Sequence, residues 1–554
     1  MDNILYIFQG ESSCLQSIVK WVYTLTKERA LLLMYMHIIV AALFPIFAGS
    51  HASLRCPPSA KVPKKTKKLN IEEDDDELDD CSPEIQGLQP SDAILFPVMA
   101  GIILGGLYLL IKWLDDPKIL SKILNWYFSG IGVFGVGKLT VDTLNVIVTF
   151  VFPRVWSTKR EIYYIDDIKS CQPMDSSVKS EANSISIKTV KDVLNPLPGL
   201  ISTIPFPACF SSIIWRARAS FKNHLVFRGY IKNLMRIAVP IRLTHIIGYT
   251  FGLIVIIFYN VLSRPWWLTN TIAFGFCYST LQLMSPTTFW TGTLVLSGLF
   301  IYDITMVFYT PLMVTVASSL DIPIKLVFPG PKKGSMLGLG DVVLPGIMIA
   351  LALRFDLYLH YLRKQRAATS VSESDKTTLI KPDYIEATGA WGEKFWTSNF
   401  EQRSSCKTVA DGARFKKIYF WASMTGYVVG LVVTLFVLKI FNHAQPALLY
   451  LVPGVLLPLW GTAWARGEIK TMYDYTEDGE KEQNSKENKS SDESTSDLYD
   501  NNGIKKNESA QANEKNGVKT AEFVTATDKM KGHERDINHN RILYFSLNIP
   551  KGQY

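Results

Sequence analysis

The sequence is poor in charge. Only 19% of its 554 residues are Asp, Glu, Lys or Arg, while 48% are hydrophobic, and one soluble unit of that balance would have to bury an improbable share of apolar surface. Cysteine is also sparse. The seven (Cys14, Cys56, Cys81, Cys171, Cys209, Cys277, Cys406) are odd in number, far apart and free of any CxxC spacing, so neither a disulfide framework nor a zinc cluster is expected. The net charge is +8, but no Lys/Arg stripe interleaved with aromatics carries it, and nucleic acid is not an expected partner. No HExxH lies on an apolar segment: the nearest string, His533-Glu534-Arg535-Asp536-Ile537, sits in polar sequence and lacks the second His. No GxSxG lies within an apolar run either, which argues against a serine protease of the membrane. Neither a metal nor another cofactor is expected.

Long apolar runs are abundant. A bilayer core takes about 20 residues of helix, and about nine stretches qualify, near 30–49, 93–114, 124–152, 243–262, 268–285, 288–310, 337–361, 418–440 and 445–464. The expected fold class is therefore an all-α multi-pass membrane protein with about nine transmembrane helices. The first run resembles a signal sequence, but its start near residue 30 and its length fit an uncleaved anchor better. The third contains Lys138 and Asp142, spaced to pair on one helix face, and they read as a structural ion pair.

Polar inserts separate the runs. Between 51 and 91 a basic block, KVPKKTKK, precedes an acidic one, IEEDDDELDD, and the two read as a solvated loop. The second half of the insert 153–242, around Trp215, Arg216, Arg218 and Lys222, has the mix expected of an amphipathic helix in the membrane interface. The segment from about 471 onward has too little apolar content to fold alone and reads as a disordered tail. The expected organisation is 1–92 with the first span and charged loop, 93–152 with spans two and three, 153–242 as an insert, and 243–310 with spans four to six. There follow 311–362 with a connecting loop and span seven, 363–417 as a second insert, 418–470 with spans eight and nine, and the tail 471–554.

Counted along nine spans, the loops 51–91, 153–242 and 363–417 hold 6, 14 and 11 Lys+Arg and lie on the same side as the C-terminus. The positive-inside rule makes that side the cytosol and puts the N-terminus in a lumen. The sequons at Asn488 and Asn507 would then stay unglycosylated.

Two acids stand where acids are costly. Asp303 lies in TFWTGTLVLSGLFIYDITMVFYT and Asp341 in MLGLGDVVLPGIMIALAL, neither with a basic residue in its run. Asp at a span centre costs roughly 2.5–3.5 kcal/mol, so an intramembrane carboxylate is by default a functional-site candidate. In an antiparallel pair, Asp303 lies about 12 Å of helix before Pro311 and Asp341 about 7.5 Å after Met336, within about one turn of the same depth. Carboxylates facing each other there would share a proton, the arrangement that activates water in aspartic proteases. Gly338, Leu339 and Gly340 lead into Asp341, and the glycines let the helix begin late and a substrate backbone approach. Gln445, Pro446, Ala447 and Leu448 open the last run, where proline should leave carbonyls free and its small neighbours allow close packing. Tyr302 either hydrogen-bonds the pair or packs. Asp356, beside Arg354, reads as interfacial.

These motifs, Tyr302-Asp303, Gly338 to Asp341 and Pro446-Ala447-Leu448, together with MVTVA at 313–317, IKLVFP at 324–329 and IALALRFD at 349–356, resemble the signal peptide peptidase family, the GxGD-type intramembrane aspartic proteases related to presenilin. The resemblance implies nine spans, a lumenal N-terminus and an endoplasmic reticulum membrane. It implies catalysis by Asp303 and Asp341, with Tyr302, Gly338, Leu339, Gly340, Gln445, Pro446, Ala447 and Leu448 contacting substrate. The substrates would be transmembrane peptides such as remnant signal peptides, or membrane proteins of type II orientation, in contact with lipid. Action as a homo-oligomer or within a membrane-protein degradation complex stays open. The alternatives are a proton- or cation-coupled transporter using the same two acids, and a protein that holds membrane clients without cutting them.

Overall fold

The computed structural model describes residues 13–61, 86–114, 117–157, 162–165, 174–175, 195–204, 206–231, 235–262, 264–310, 316, 322–330, 335–371, 381–385, 387–388, 391–398, 415–441, 445–477 and 543–548. The charge blocks within 62–80, most of 313–317, both sequons and the 533–537 string lie outside them.

In chain order the elements are α1 (Ser13–Ala52), β1 (Gln86–Leu88), α2 (Asp92–Trp113), α3 (Pro117–Val151), β2 (Val155–Ser157), β3 (Ile162–Tyr164), β4 (Met174–Asp175), α4 (Ala208–Lys222), β5 (His224–Ile231) and β6 (Met235–Arg242). They continue with α5 (Leu243–Val261), α6 (Trp266–Leu283), β7 (Met284–Pro286), α7 (Phe289–Ile304), β8 (Lys325–Phe328), β9 (Ser335–Gly338), α8 (Gly340–Val371) and α9 (Trp391–Trp396). The last are α10 (Ile418–Phe441), α11 (Leu448–Ala465), α12 (Ile469–Tyr473) and β10 (Leu543–Asn548). Among the described residues eight helices are long and apolar enough to cross a membrane: α1 from Leu31, α2, α3, α5, α7 with the turn that follows it, α8 to Ala367, α10 and α11.

The ninth expected span, 268–285, is α6, an 18-residue helix outside that set. Its sequence carries Thr269, Asn270, Thr271, Ser279, Thr280 and Gln282. The structure accommodates that polarity by enclosing the helix: Leu268, Ile272, Ala273, Cys277 and Leu281 are buried. Thr269, Thr271 and Thr280 return their hydroxyls to carbonyls four residues back, as a hydroxyl in a water-free environment must.

α8 is the centre of the fold. Ile349 to Leu353 are each fully buried, and so is Phe355, so α8 is ringed by α1, α6, α7, α10 and α11. α2, by contrast, exposes Ile94, Ile102, Ile103 and Leu109 and forms a lipid-facing periphery. A second cluster of Val136, Val255, Ile256, Tyr259, Leu268 and Ile272 joins α3, α5 and α6. Small residues permit the closest crossings. A Cβ on Gly275 would lie 2.6 Å from the Val136 nitrogen, and one on Gly426 would lie 2.0 Å from the Gly454 carbonyl oxygen. The second crossing seats α11 against α10.

The expected ion pair is present: Lys138 Nζ lies 3.2 Å from Asp142, which also accepts from the Tyr278 hydroxyl at 2.7 Å. Asp356 is enclosed by protein. It is 4% exposed and accepts from the Tyr419 and Phe420 amides at 3.2 and 3.0 Å, satisfying orphan donors at the start of α10.

The polar inserts are partly ordered onto this bundle. β1 pairs with β7 in parallel, β2, β3 and β4 form an antiparallel sheet, and the Trp396 indole of α9 donates to the Phe150 carbonyl at the end of α3. The expected amphipathic helix stops at Lys222, with Arg218 fully buried and donating to the Pro153 carbonyl at 3.0 Å. Residues 471–477 are folded, with Met472 and Tyr475 buried, so the tail begins later than the composition indicates. A separate unit, 68–82, 224–241 and 478–554, holds a three-stranded sheet in the order β10-β5-β6. β10 pairs antiparallel with β5, an ordered strand inside sequence expected to be structureless.

Candidate active site

α7 starts where the Thr288 side chain accepts from the Thr291 amide at 3.1 Å, an N-cap. Asp303 comes near its other end, 4% exposed, and past Ile304 the helix widens into a π-turn over Thr305–Tyr309, a defect common at functional sites. The chain returns through β8 and β9, which pair antiparallel from Lys325↔Gly338 to Phe328↔Ser335, and passes from strand to helix within the Gly338-Leu339-Gly340-Asp341 motif. Asp341 sits in the first turn of α8. α7 thus ends, and α8 begins, at the same end of the bundle, and the two helices pack directly on each other.

The glycines fit the access reading. A Cβ on Gly338 would meet only the Asp341 carboxylate, at 3.4 Å, and one on Gly340 only Leu344, at 3.9 Å, so no packed side chain requires their smallness. Gly338 is exposed. Leu339 makes the turn, donating to the Ile324 carbonyl at 3.3 Å and accepting from the Val342 and Val343 amides at 3.1 and 2.8 Å.

The Pro446-Ala447-Leu448 segment acts differently from expectation. Its carbonyls are not free: that of Pro446 accepts from Leu449, and that of Ala447 from Tyr450 and Leu451. What it offers is an amide. Leu448 is the first residue of α11, and its N–H, one of the orphan donors of a helix N-terminus, reaches Asp303 Oδ2 at 3.0 Å. A carboxylate at that terminus is also favoured by the helix dipole. Pro446 and Leu448 are buried, while Gln445 and Ala447 are half-buried. Of the two roles open to Tyr302, packing is the one seen: its ring lies beside Gly101 of α2.

Two participants carried no signal in the sequence. Tyr427 of α10, fully buried, donates to the Asp341 main-chain oxygen at 3.3 Å. Asn270 of α6 clasps β8, donating to the Val327 carbonyl at 2.9 Å and accepting from the Val327 amide at 2.7 Å. That clasp closes one edge of the β8–β9 ribbon.

Residues 80–479 match the signal peptide peptidase family. The chain is 26% identical over 459 residues to the signal peptide peptidase of Homo sapiens, covering 81% of this chain and 85% of that protein. To the signal peptide peptidase of Mus musculus it is 27% identical over 472 residues, 84% and 88% of the two chains. A probable intramembrane protease of Schizosaccharomyces pombe is 35% identical over 236 residues, 42% of this chain and 64% of that one.

Proposed function

The chain belongs to the signal peptide peptidase family and is a multi-pass protease that cleaves transmembrane substrates within the membrane; from that premise we propose that it is an aspartic endopeptidase whose catalytic pair is Asp303 and Asp341. The observation that carries the proposal is the convergence of two acids on one end of α7 and α8, with a helix N-terminus donating to one of them. In this reading a water held between the carboxylates loses a proton to one of them as it attacks the scissile carbonyl. The other protonates the departing amine, and the pair titrates as a unit. Leu448 fixes the rotamer of Asp303, and Tyr427 steadies the main chain at Asp341.

A helical substrate hides its carbonyls in its own hydrogen bonds and must unwind locally before attack, so the freed groups need partners at that depth. With Asn270 on β8, β9 is the edge left for an extended substrate to join, as an added strand running toward Gly338. Gln445 to Leu448 would line the opposite side. The distribution of Lys and Arg supports a lumenal N-terminus and cytosolic C-terminus, and the names of the relatives, signal peptide peptidases, support remnant signal peptides as substrates; with them we assign the protein to the endoplasmic reticulum membrane and type II membrane proteins to its substrates. Both acids and the Leu448 amide belong to one chain, so we assign cleavage to the single chain. Assembly with further copies or with a membrane-protein degradation complex would then govern the delivery of substrate. The carrier reading finds no support among these relatives, which are named as peptidases or proteases.

The test is reconstitution of purified protein with a labelled type II transmembrane peptide and mass spectrometry of the products. Fragments ending inside the apolar segment are expected. Binding without fragments would leave a client-holding protein instead.

A further inference from the structure

Beside the start of α7 and near the middle of α8, away from the two acids, lies a buried charged cluster. Arg354 follows Asp341 by 13 residues on α8, about 20 Å along the axis, and is 4% exposed. A guanidinium this deep requires a carboxylate and further hydrogen bonds. Arg354 Nε donates to Glu477 Oε1 at 2.5 Å, Nη1 to Ser53 at 2.9 Å and Nη2 to Ser285 at 2.7 Å. The Ser285 hydroxyl donates in turn to Glu477 Oε2 at 2.5 Å, and Arg55 pairs with the same carboxylate.

Glu477 belongs to a short strap that is also held by its backbone and by packing. Its amide donates to the Thr287 carbonyl at 3.0 Å, Thr476 bridges antiparallel to Thr288, and the Tyr475 ring packs on Phe289, Phe355 and Tyr358 at 5.8, 5.3 and 5.0 Å between centroids. The strap therefore ties α8 to the start of α7.

We infer that Glu477 is a positioning residue for the reaction proposed above, setting through Arg354 the height and rotation at which α8 presents Asp341. The inference rests on the dyad reading. Between Asp341 and Arg354 the helix carries no charged side chain, so over that stretch only apolar packing sets its register. Directional anchors add to it. Among them are Asp356, which holds α10 and with it Tyr427 at Asp341, and the Arg354–Glu477 pair. Without Glu477, two guanidiniums would be left facing each other in a site that only a carboxylate holds together.

The experiment uses the full chain, purified and assayed with the labelled peptide. It measures kcat, KM, the affinity of a transition-state mimic aimed at the acids, and thermal stability. Glu477→Gln should lower kcat about tenfold with KM changed less than about twofold, and should weaken mimic binding by a similar factor, because only the transition state requires the acids in register. Glu477→Asp, which keeps the charge, should recover at least about half of the lost rate. Ser285→Ala, which removes one hydrogen bond and leaves every charge in place, should lower kcat about two- to fivefold. If Glu477→Gln yields no folded protein, Ser285→Ala decides. Parent-like kcat and mimic affinity in the folded variants overturns the strap inference and leaves the dyad standing. Failure of the parent to bind the mimic sinks the dyad reading itself, before any strap variant is compared.

Discussion

Asp303 is held by a backbone amide, so its partner depends on where α11 begins and not on the identity of a donor side chain. The Leu448 N–H at 3.0 Å favours an ionised oxygen and leaves Oδ1 for a water or a second acid. Asp341 has Gly338 beside its carboxylate and the Tyr427 hydroxyl on its main-chain oxygen. Asp303→Asn and Asp341→Asn should each lower cleavage at least about a thousandfold, since shared-proton chemistry needs both members. Neither should reduce expression or thermal stability, because removing an acid from apolar surroundings relieves a cost. Appreciable turnover by either variant in the reconstituted assay would sink the assignment. Both acids were legible in the sequence because an unpaired carboxylate in an apolar run is conspicuous. Tyr427 was not, since an aromatic in an apolar helix is ordinary, and Glu477 was hidden in polar sequence that reads as tail. The Leu448 amide has no residue type at all to betray it. What the sequence showed was Pro446, which marks the helix start that exposes that amide.

The beginning of α11 is an element decided by one residue. Proline has no N–H to continue a helix backward and clashes with the preceding turn, so α11 starts at Leu448 and its first amide stays available. Pro446→Leu would let the helix extend toward residue 444, and the Leu448 N–H would then bond the carbonyl four residues back instead of Asp303. Cleavage should fall about tenfold or more, and mimic binding should weaken with it. Parent-like cleavage by this variant would reduce the segment to a packing device. The β8–β9 ribbon depends on Asn270 in the same way. Asn270→Leu removes two hydrogen bonds worth about 1 kcal/mol each. It should lower kcat/KM for a transmembrane peptide about tenfold while leaving the affinity of a small mimic near that of the parent, because the substrate strand is lost and the acids are not. Equal losses for both ligands would place Asn270 in general stability. The ribbon was illegible in the sequence: IKLVF and SMLG are too short and too apolar to tell from the ends of neighbouring spans.

For the whole molecule, hydropathy located all nine helical runs, eight of them long and apolar enough to cross a membrane among the described residues; the ninth, α6, carries polar groups that make sense only once it is enclosed by its neighbours. Enclosure is also what a substrate must undergo. On the proposed reading it arrives as a helix with every backbone group satisfied and pairs, once opened, with the β9 edge. Such a site would select for segments that open at low cost, not for a side-chain sequence. Each Gly in place of a good helix former lowers helix stability by about 1 kcal/mol. Two glycines near the scissile position should thus raise the cleavage rate up to about thirtyfold if opening is fully rate-limiting, and a run of Leu over the same positions should slow it. The comparison requires peptides matched for membrane insertion, assayed with one enzyme preparation under identical lipid conditions. Equal rates for the glycine and leucine peptides would remove unwinding from the mechanism and require the acids to reach a carbonyl still held within a helix.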